Sequence, residues 1–195
     1  MQFPQTHQQC VYLRSIQSPK PILIATGPAG SGKTMLACQE AMRYLNKRTY
    51  EKVVFTRPTV AADENLGYLP GDIHEKMEPW SLPLLENCHM TPRVAIEPLG
   101  FMRGRTFNNT FIIADEMQNS TLLQMKMLLT RLGKNTKIVV LGDDDQSDID
   151  GLNGLTDIMN RVDGLQFDYL DYVSMGEEDV RRHPAVNEIL SVYRI

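Results

Sequence analysis

The run Gly27-Pro28-Ala29-Gly30-Ser31-Gly32-Lys33-Thr34 has the residue types and spacing of a phosphate grip, G-x-x-x-x-G-K-[ST]. Glycines let the backbone curl until successive N–H groups point inward at phosphate oxygens, and a helix starting at once adds the positive end of its dipole. Gly27, Pro28, Ala29, Gly30, Ser31 and Gly32 would cradle the phosphates, Lys33 would reach the β and γ groups, and Thr34 would put its hydroxyl on Mg²⁺. A Gly-rich turn that binds nothing is the alternative. Against it stand the apolar run just before the motif and the amphipathic run just after.

A second group of residues would supply hydrolysis. Phe111-Ile112-Ile113-Ala114 leads into Asp115-Glu116, where Asp115 can hold the Mg²⁺ shell through water and Glu116 can orient and polarise an attacking water. Two acids after a strand also occur as plain loop charges or at helix N-termini. A third acidic cluster, Gly142-Asp143-Asp144-Asp145-Gln146, makes Asp143 and Gln146 candidates for sensing the γ-phosphate if its strand lies beside that of the phosphate loop. Otherwise it is a turn, the reading given to Asp144 and Asp145. Transition-state charge calls for a further cation. Arg57, Arg103, Arg105, Arg181 and Arg182 lie in loops, and pattern alone does not choose among them.

These residues need a frame, and the chain supplies one by alternating apolar runs with amphipathic ones, the signature of a parallel α/β sheet. Strands are predicted at Ile22–Thr26, Lys52–Thr56, Val94–Ile96, Phe111–Ala114, Lys137–Leu141 and Phe167–Leu170, each short enough to be buried on both faces. Helices are predicted from Lys33 to about Asn46, from Leu122 to Leu132 with a start at Ser120 or Thr121 and a stop at Gly133, and from about Ala185 to Tyr193. Five prolines and two glycines between Pro58 and Pro92 mark an irregular insertion, with Trp80 as its apolar anchor.

The 195 residues are 42% hydrophobic and 23% charged, a globular composition that reads as one domain over 1–195. A net charge of −4 excludes wrapping of nucleic acid by the whole surface and leaves a local basic groove open. Cys10, Cys38 and Cys88 are widely spaced, which indicates neither a disulfide framework nor zinc. No apolar run is long enough to span a bilayer, and the first residues lack the features of a signal peptide. The expectation is a cytoplasmic protein with no membrane partner.

Taken in order, Thr6-His7-Gln8-Gln9, the phosphate motif, Phe55-Thr56-Arg57-Pro58, Leu66-Gly67-Tyr68-Leu69-Pro70-Gly71-Asp72, Met102-Arg103-Gly104-Arg105-Thr106, Asp115-Glu116-Met117-Gln118-Asn119, Leu129-Thr130-Arg131-Leu132-Gly133, Gly142-Asp143-x-x-Gln146-x-Asp148 and Asp179-Val180-x-Arg182-His183-Pro184 resemble the PhoH-like ATPases over nearly the whole chain. The resemblance implies a RecA-like αβα sandwich with a mostly parallel sheet, similar to superfamily-one helicases, and Mg²⁺-dependent ATP hydrolysis. It implies that Gln9 reads the adenine edge and that Arg182 stands at the γ-phosphate. It also implies a homo-oligomeric ring, a hexamer, in which Arg182 or Arg105 acts across a subunit boundary, with RNA or single-stranded DNA as partner. A nucleotide-dependent protein assembly module with slow ATPase is the alternative. The interleaved Phe101, Arg103, Arg105 and Phe107 could serve a nucleic acid strand, a packed strand edge or a subunit contact. Met117 departs from the alanine usual in the family, and Asp144 and Asp145 from simpler residues. The short chain is similar to versions carried by bacteriophages.

Overall fold

Runs such as Ile22–Thr26 and Lys137–Gly142 alternate their side chains between two faces, and because both faces are apolar they belong inside a sheet covered on both sides. The structure, a computed structural model, describes residues 4–58, 91–144, 146–182 and 184–193. Trp80, Cys88, the Leu66–Asp72 motif, most of the insertion and Asp145 lie outside the described residues.

In chain order the described elements are α1 (His7–Gln17), β1 (Ile22–Thr26), α2 (Lys33–Asn46), β2 (Lys52–Thr56), β3 (Val94–Ile96), β4 (Thr110–Ala114), α3 (Leu122–Leu129), β5 (Lys137–Gly142), α4 (Gly154–Val162), β6 (Leu170–Ser174) and α5 (Pro184–Tyr193). The strands form one sheet in the order β3-β2-β4-β5-β1-β6, and every pairing is parallel. Leu23, Ala25, Phe55, Phe111, Ile113 and Leu141 pack under α1 and α2 through Tyr12, Ile16, Leu36 and Ala41. Ile24, Val54, Ile112 and Val140 face the other way, onto Met125 and Leu128 of α3 and Leu155 of α4. This is the expected three-layer sandwich. Among the described residues no helix is long and apolar enough to cross a membrane, and Cys10 and Cys38 are not joined in a disulfide.

Several boundaries differ from the reading of the sequence. Helices α1 and α4 were not anticipated; Thr6 and Asn153 cap them by accepting from the N–H groups of Gln9 and Thr156. The last strand begins at Leu170, because Ile22 pairs with Leu170 and the ladder continues to Ser174; the earlier aromatic Tyr169 is 72% exposed. Helix α3 ends at Leu129 rather than Leu132, since the Phe107 N–H takes the Arg131 carbonyl at 3.0 Å and draws the chain out of the helix.

At the start of β5 the buried Lys137 ammonium donates to the carbonyls of Ser15, Ser18 and Lys20 at 3.0, 2.9 and 2.9 Å, closing the end of α1 onto the sheet. Burial pushes its pKa from 10.5 down to about 8, with Asp171 opposing the shift. The unfolded chain therefore holds the extra proton between about pH 8 and 10.5, and stability contributed at this position rises with pH through that window. Denaturant titrations should show the wild type gaining roughly 1 kcal/mol per pH unit over Lys137→Met there.

Candidate nucleotide site

The strand order sets the site. Strand β5 lies directly beside β1, meeting the condition attached to Asp143 and Gln146, and Thr26 pairs with Gly142 so that the two strand ends are level. Strand β4 follows β5. The phosphate motif, the Asp143 turn and Asp115-Glu116 therefore leave the same edge of the sheet, where ligands bind in open parallel sheets.

The motif curls as its glycines allow. Gly27, Gly30 and Gly32 have φ of 136°, 88° and 87°, and α2 starts at Lys33 with Gly32 in the left-handed region before it. The Lys33 ammonium donates to the carbonyls of Gly27 and Pro28 at 2.5 and 3.0 Å and to Ser31 Oγ at 3.2 Å. Burial lowers its pKa, while Asp143, Asp115 and Glu116 pull it back up. Asp143 Oδ2 accepts from the Ala29 N–H at 2.9 Å, so a carboxylate already sits on an amide of the loop.

Thr34 Oγ1 donates to Asp115 Oδ2 at 3.1 Å. Asp115 Oδ1 accepts from the Glu116 N–H at 3.1 Å, and burial together with the Glu116 charge raises its pKa. A hydroxyl and a carboxylate in contact are hard oxygen donors of the kind Mg²⁺ takes alongside water and phosphate oxygens, so Thr34 and Asp115 fit that cation. Glu116 adopts a left-handed backbone, φ 54° and ψ 38°. Its Oε1 lies 3.6 Å from Arg57 Nη2, and its Oε2 accepts from Gln118 Nε2 at 2.6 Å. Gln118 Oε1 in turn accepts from the Asp143 N–H at 3.1 Å. Sequence reading gave Gln118 no role beyond its place in the Asp-Glu-x-Gln run, and it held Arg57 as one of five candidate cations without pairing it to Glu116.

Other predicted residues are placed differently from one another. Gln9 is fully buried: Nε2 donates to the carbonyls of Ser31 and Asp179 at 3.0 and 3.4 Å, and Oε1 accepts from the Gln5 N–H at 2.7 Å. Both ends of an amide assigned by resemblance to an adenine edge are engaged by backbone, which ties the Ser31 carbonyl of the loop to the Gln5 and Asp179 segments. Asp179 accepts from the Thr6 hydroxyl and from the Gly176 N–H. The Arg181 N–H takes the Gly30 carbonyl at 3.0 Å, which lays Arg182 across the loop in the same chain; a Cβ on Gly30 would fall 2.5 Å from Arg182 Nε. Gln146 is exposed on the turn. The Phe101-to-Phe107 stretch is not one open strip: Phe107 is buried under the Arg105 guanidinium, Arg105 pairs with Glu97, and Phe101 at 60% and Arg103 remain exposed.

A family model described as PhoH-like protein matches residues 3–194. A PhoH-like protein of Synechocystis is 38% identical over 205 residues, covering 96% of this chain and 61% of that protein. One from Mycobacterium tuberculosis is 39% identical over 207 residues, with 97% and 57% covered. Protein PhoH of Escherichia coli K12 is 38% identical over 202 residues, with 95% and 56% covered. The chain thus spans between 56% and 61% of these relatives' length. Among solved structures the Pif1 helicase from Candida albicans is similar at a TM-score of 0.51 and 15% identity, over 97% of this chain and 43% of that one. That likeness is one of fold, the RecA-like P-loop domain.

A phosphate needs Lys33 charged, and burial already pushes its pKa below the ordinary 10.5. Affinity for a fluorescent ATP analogue should therefore fall as pH rises, the loss setting in below pH 10.5; bound phosphate favours the ammonium and delays the loss. Fluorescence titration from neutral to alkaline pH checks this.

Proposed function

Because the chain belongs to the PhoH-like protein family, we propose that it binds ATP with Mg²⁺ and hydrolyses it by in-line attack of water on the γ-phosphate. The observation that carries this reading is the 3.1 Å hydrogen bond from Thr34 to Asp115, which brings the phosphate helix and the acid pair of another strand to one point. The amides of the loop receive the β and γ oxygens, and Lys33 exchanges the carbonyls of Gly27 and Pro28 for phosphate. Asp143 releases the Ala29 N–H to the incoming anion and remains beside the γ position, with Gln146 on the same turn. Thr34 and Asp115 would hold the cation, which supplies charge neutralisation on the phosphates. Glu116 orients the water and draws on its proton as the water oxygen bonds to phosphorus; the bond to the bridging oxygen breaks and ADP leaves. Arg182, lying on the loop in cis, adds positive charge. Gln9 keeps the loop's shape.

We further propose a cytoplasmic homo-oligomer, a hexameric ring, whose hydrolysis is coupled to RNA or single-stranded DNA; the exposed Phe101 and Arg103 support a strand contact by stacking and charge. The net charge of −4 favours the other reading, an assembly module timed by slow hydrolysis. Lys33→Ala should abolish binding and phosphate release. Glu116→Gln should bind ATP normally and lose about 100-fold or more in rate. Phosphate-release assays that leave both variants at wild-type rate would overturn the mechanism. Stimulation by single strands that falls with salt and is lost in Arg103→Ala would support the nucleic-acid partner. A rate that rises with protein concentration alone would support the assembly module.

A further inference from the structure

We propose that Gln118 is a positioning residue for hydrolysis, a bracket holding the Glu116 carboxylate at a fixed offset from the end of β5 and so from the phosphate loop. The proposal rests on the reading of Glu116 as the group that orients water. Gln118 is buried, 2% exposed, between two groups with opposite demands. Glu116 Oε2 can only accept and takes Nε2 at 2.6 Å; the Asp143 N–H can only donate and takes Oε1 at 3.1 Å. An amide carries a donor and an acceptor side by side, and only one of its two flips serves both neighbours.

The space for this amide is kept open by Gly142, where a Cβ would come within 2.8 Å of Gln118 Oε1. Beyond Asp143 the path continues to the loop, since Asp143 Oδ2 takes the Ala29 N–H at 2.9 Å. Ala29, Asp143, Gln118 and Glu116 thus form an unbroken series of contacts anchored on β1, β5 and β4. Glu116 has use for it. Among the described residues its ion-pair contact is with Arg57 at 3.6 Å, with both side chains more than a third exposed, a contact too loose and too well solvated to fix a carboxylate. The buried amide supplies what the ion pair lacks, and catalytic geometry is sensitive to shifts of about 1 Å.

The test uses Gln118→Met, which keeps the length and removes both polar ends, and Gln118→Glu, which keeps an acceptor for the Asp143 N–H and sets a like charge against Glu116. In the full chain both should lower kcat about 10- to 100-fold, while the Kd of a fluorescent non-hydrolysable ATP analogue stays within about twofold. Placed in a Glu116→Gln background and read by single-turnover hydrolysis, the same substitutions should cause no further loss, because a group acting through Glu116 has nothing left to position. An unchanged kcat, an equal loss in both backgrounds, a Kd that rises in step, or collapse of the fold in both variants would each overturn the proposal. A wild-type rate in Glu116→Gln alone would overturn the underlying reading as well, which separates the two failures.

Discussion

The parallel ladder between β1 and β5 is the constraint on which the site depends. Pairing Thr26 with Gly142 brings the phosphate loop and the Asp143 turn off the sheet at the same height. A slip along the ladder would carry the Asp143 carboxylate away from the Ala29 amide, a contact of 2.9 Å. It would equally part the Asp143 N–H from Gln118, and Glu116 would lose its reference to the loop. The ladder is secured by burial, since Leu23, Ile24, Ala25, Ile138, Val139, Val140 and Leu141 are all fully enclosed, and two faces of apolar packing leave one register open to the chain.

Around this edge Asp115, Glu116 and Asp143 face Lys33 and Arg57, and burial acts on the most enclosed of them in a telling direction. It lowers the pKa of Lys33 and raises that of Asp115, moving each toward its neutral form. In the proposed reaction the species that would touch these groups carry the opposite charges: phosphate on the lysine, a divalent cation on the aspartate. Each would favour the ionised form of the residue it meets. Substrate and cation therefore complete a charge arrangement that the protein alone leaves under tension, which gives the site a physical reason to take both together.

Much of this was legible in the residue string because the determinants are local. A G-x-x-x-x-G-K-T run between strand and helix needs no tertiary knowledge, and an apolar run ending in Asp-Glu announces a strand tip. Five of the six strands were found where predicted to within a residue or so, four of them because they are buried on both faces and the short edge strand β3 although Ala95 and Ile96 are only half-buried. The sixth was misplaced by three residues at its start and four at its end, sharing only Leu170 with the observed strand, since Asp171 and Ser174 lack strand character while Phe167 and Tyr169 have it and precede β6. Helix α1, His-Gln-Gln-Cys-Val-Tyr-Leu-Arg-Ser-Ile-Gln, hid because its buried set includes Gln9 beside Tyr12 and Ile16, and a glutamine does not register as a core position. The Gln118 bridge was invisible for another reason: its partners lie 2 and 25 residues away in sequence, and only the fold makes them neighbours.

The glycines carry a further lesson about what a motif encodes. Gly27 could be explained by its turn alone, yet a Cβ there would meet the Met175 carbonyl oxygen at 2.4 Å, where the chain leaving β6 passes under the loop. Gly142 has no positive φ to justify it and is instead cleared for Leu155 and Gln118, at 2.4 and 2.8 Å. Each therefore marks a close approach by a segment distant in sequence, and the approaching segments are the ones that support the loop or reach Glu116. Read this way, the spacing of small residues along the chain records tertiary contacts around the phosphate site as well as local curvature, and Gly142, outside the phosphate motif, belongs to the site as fully as the glycines within it.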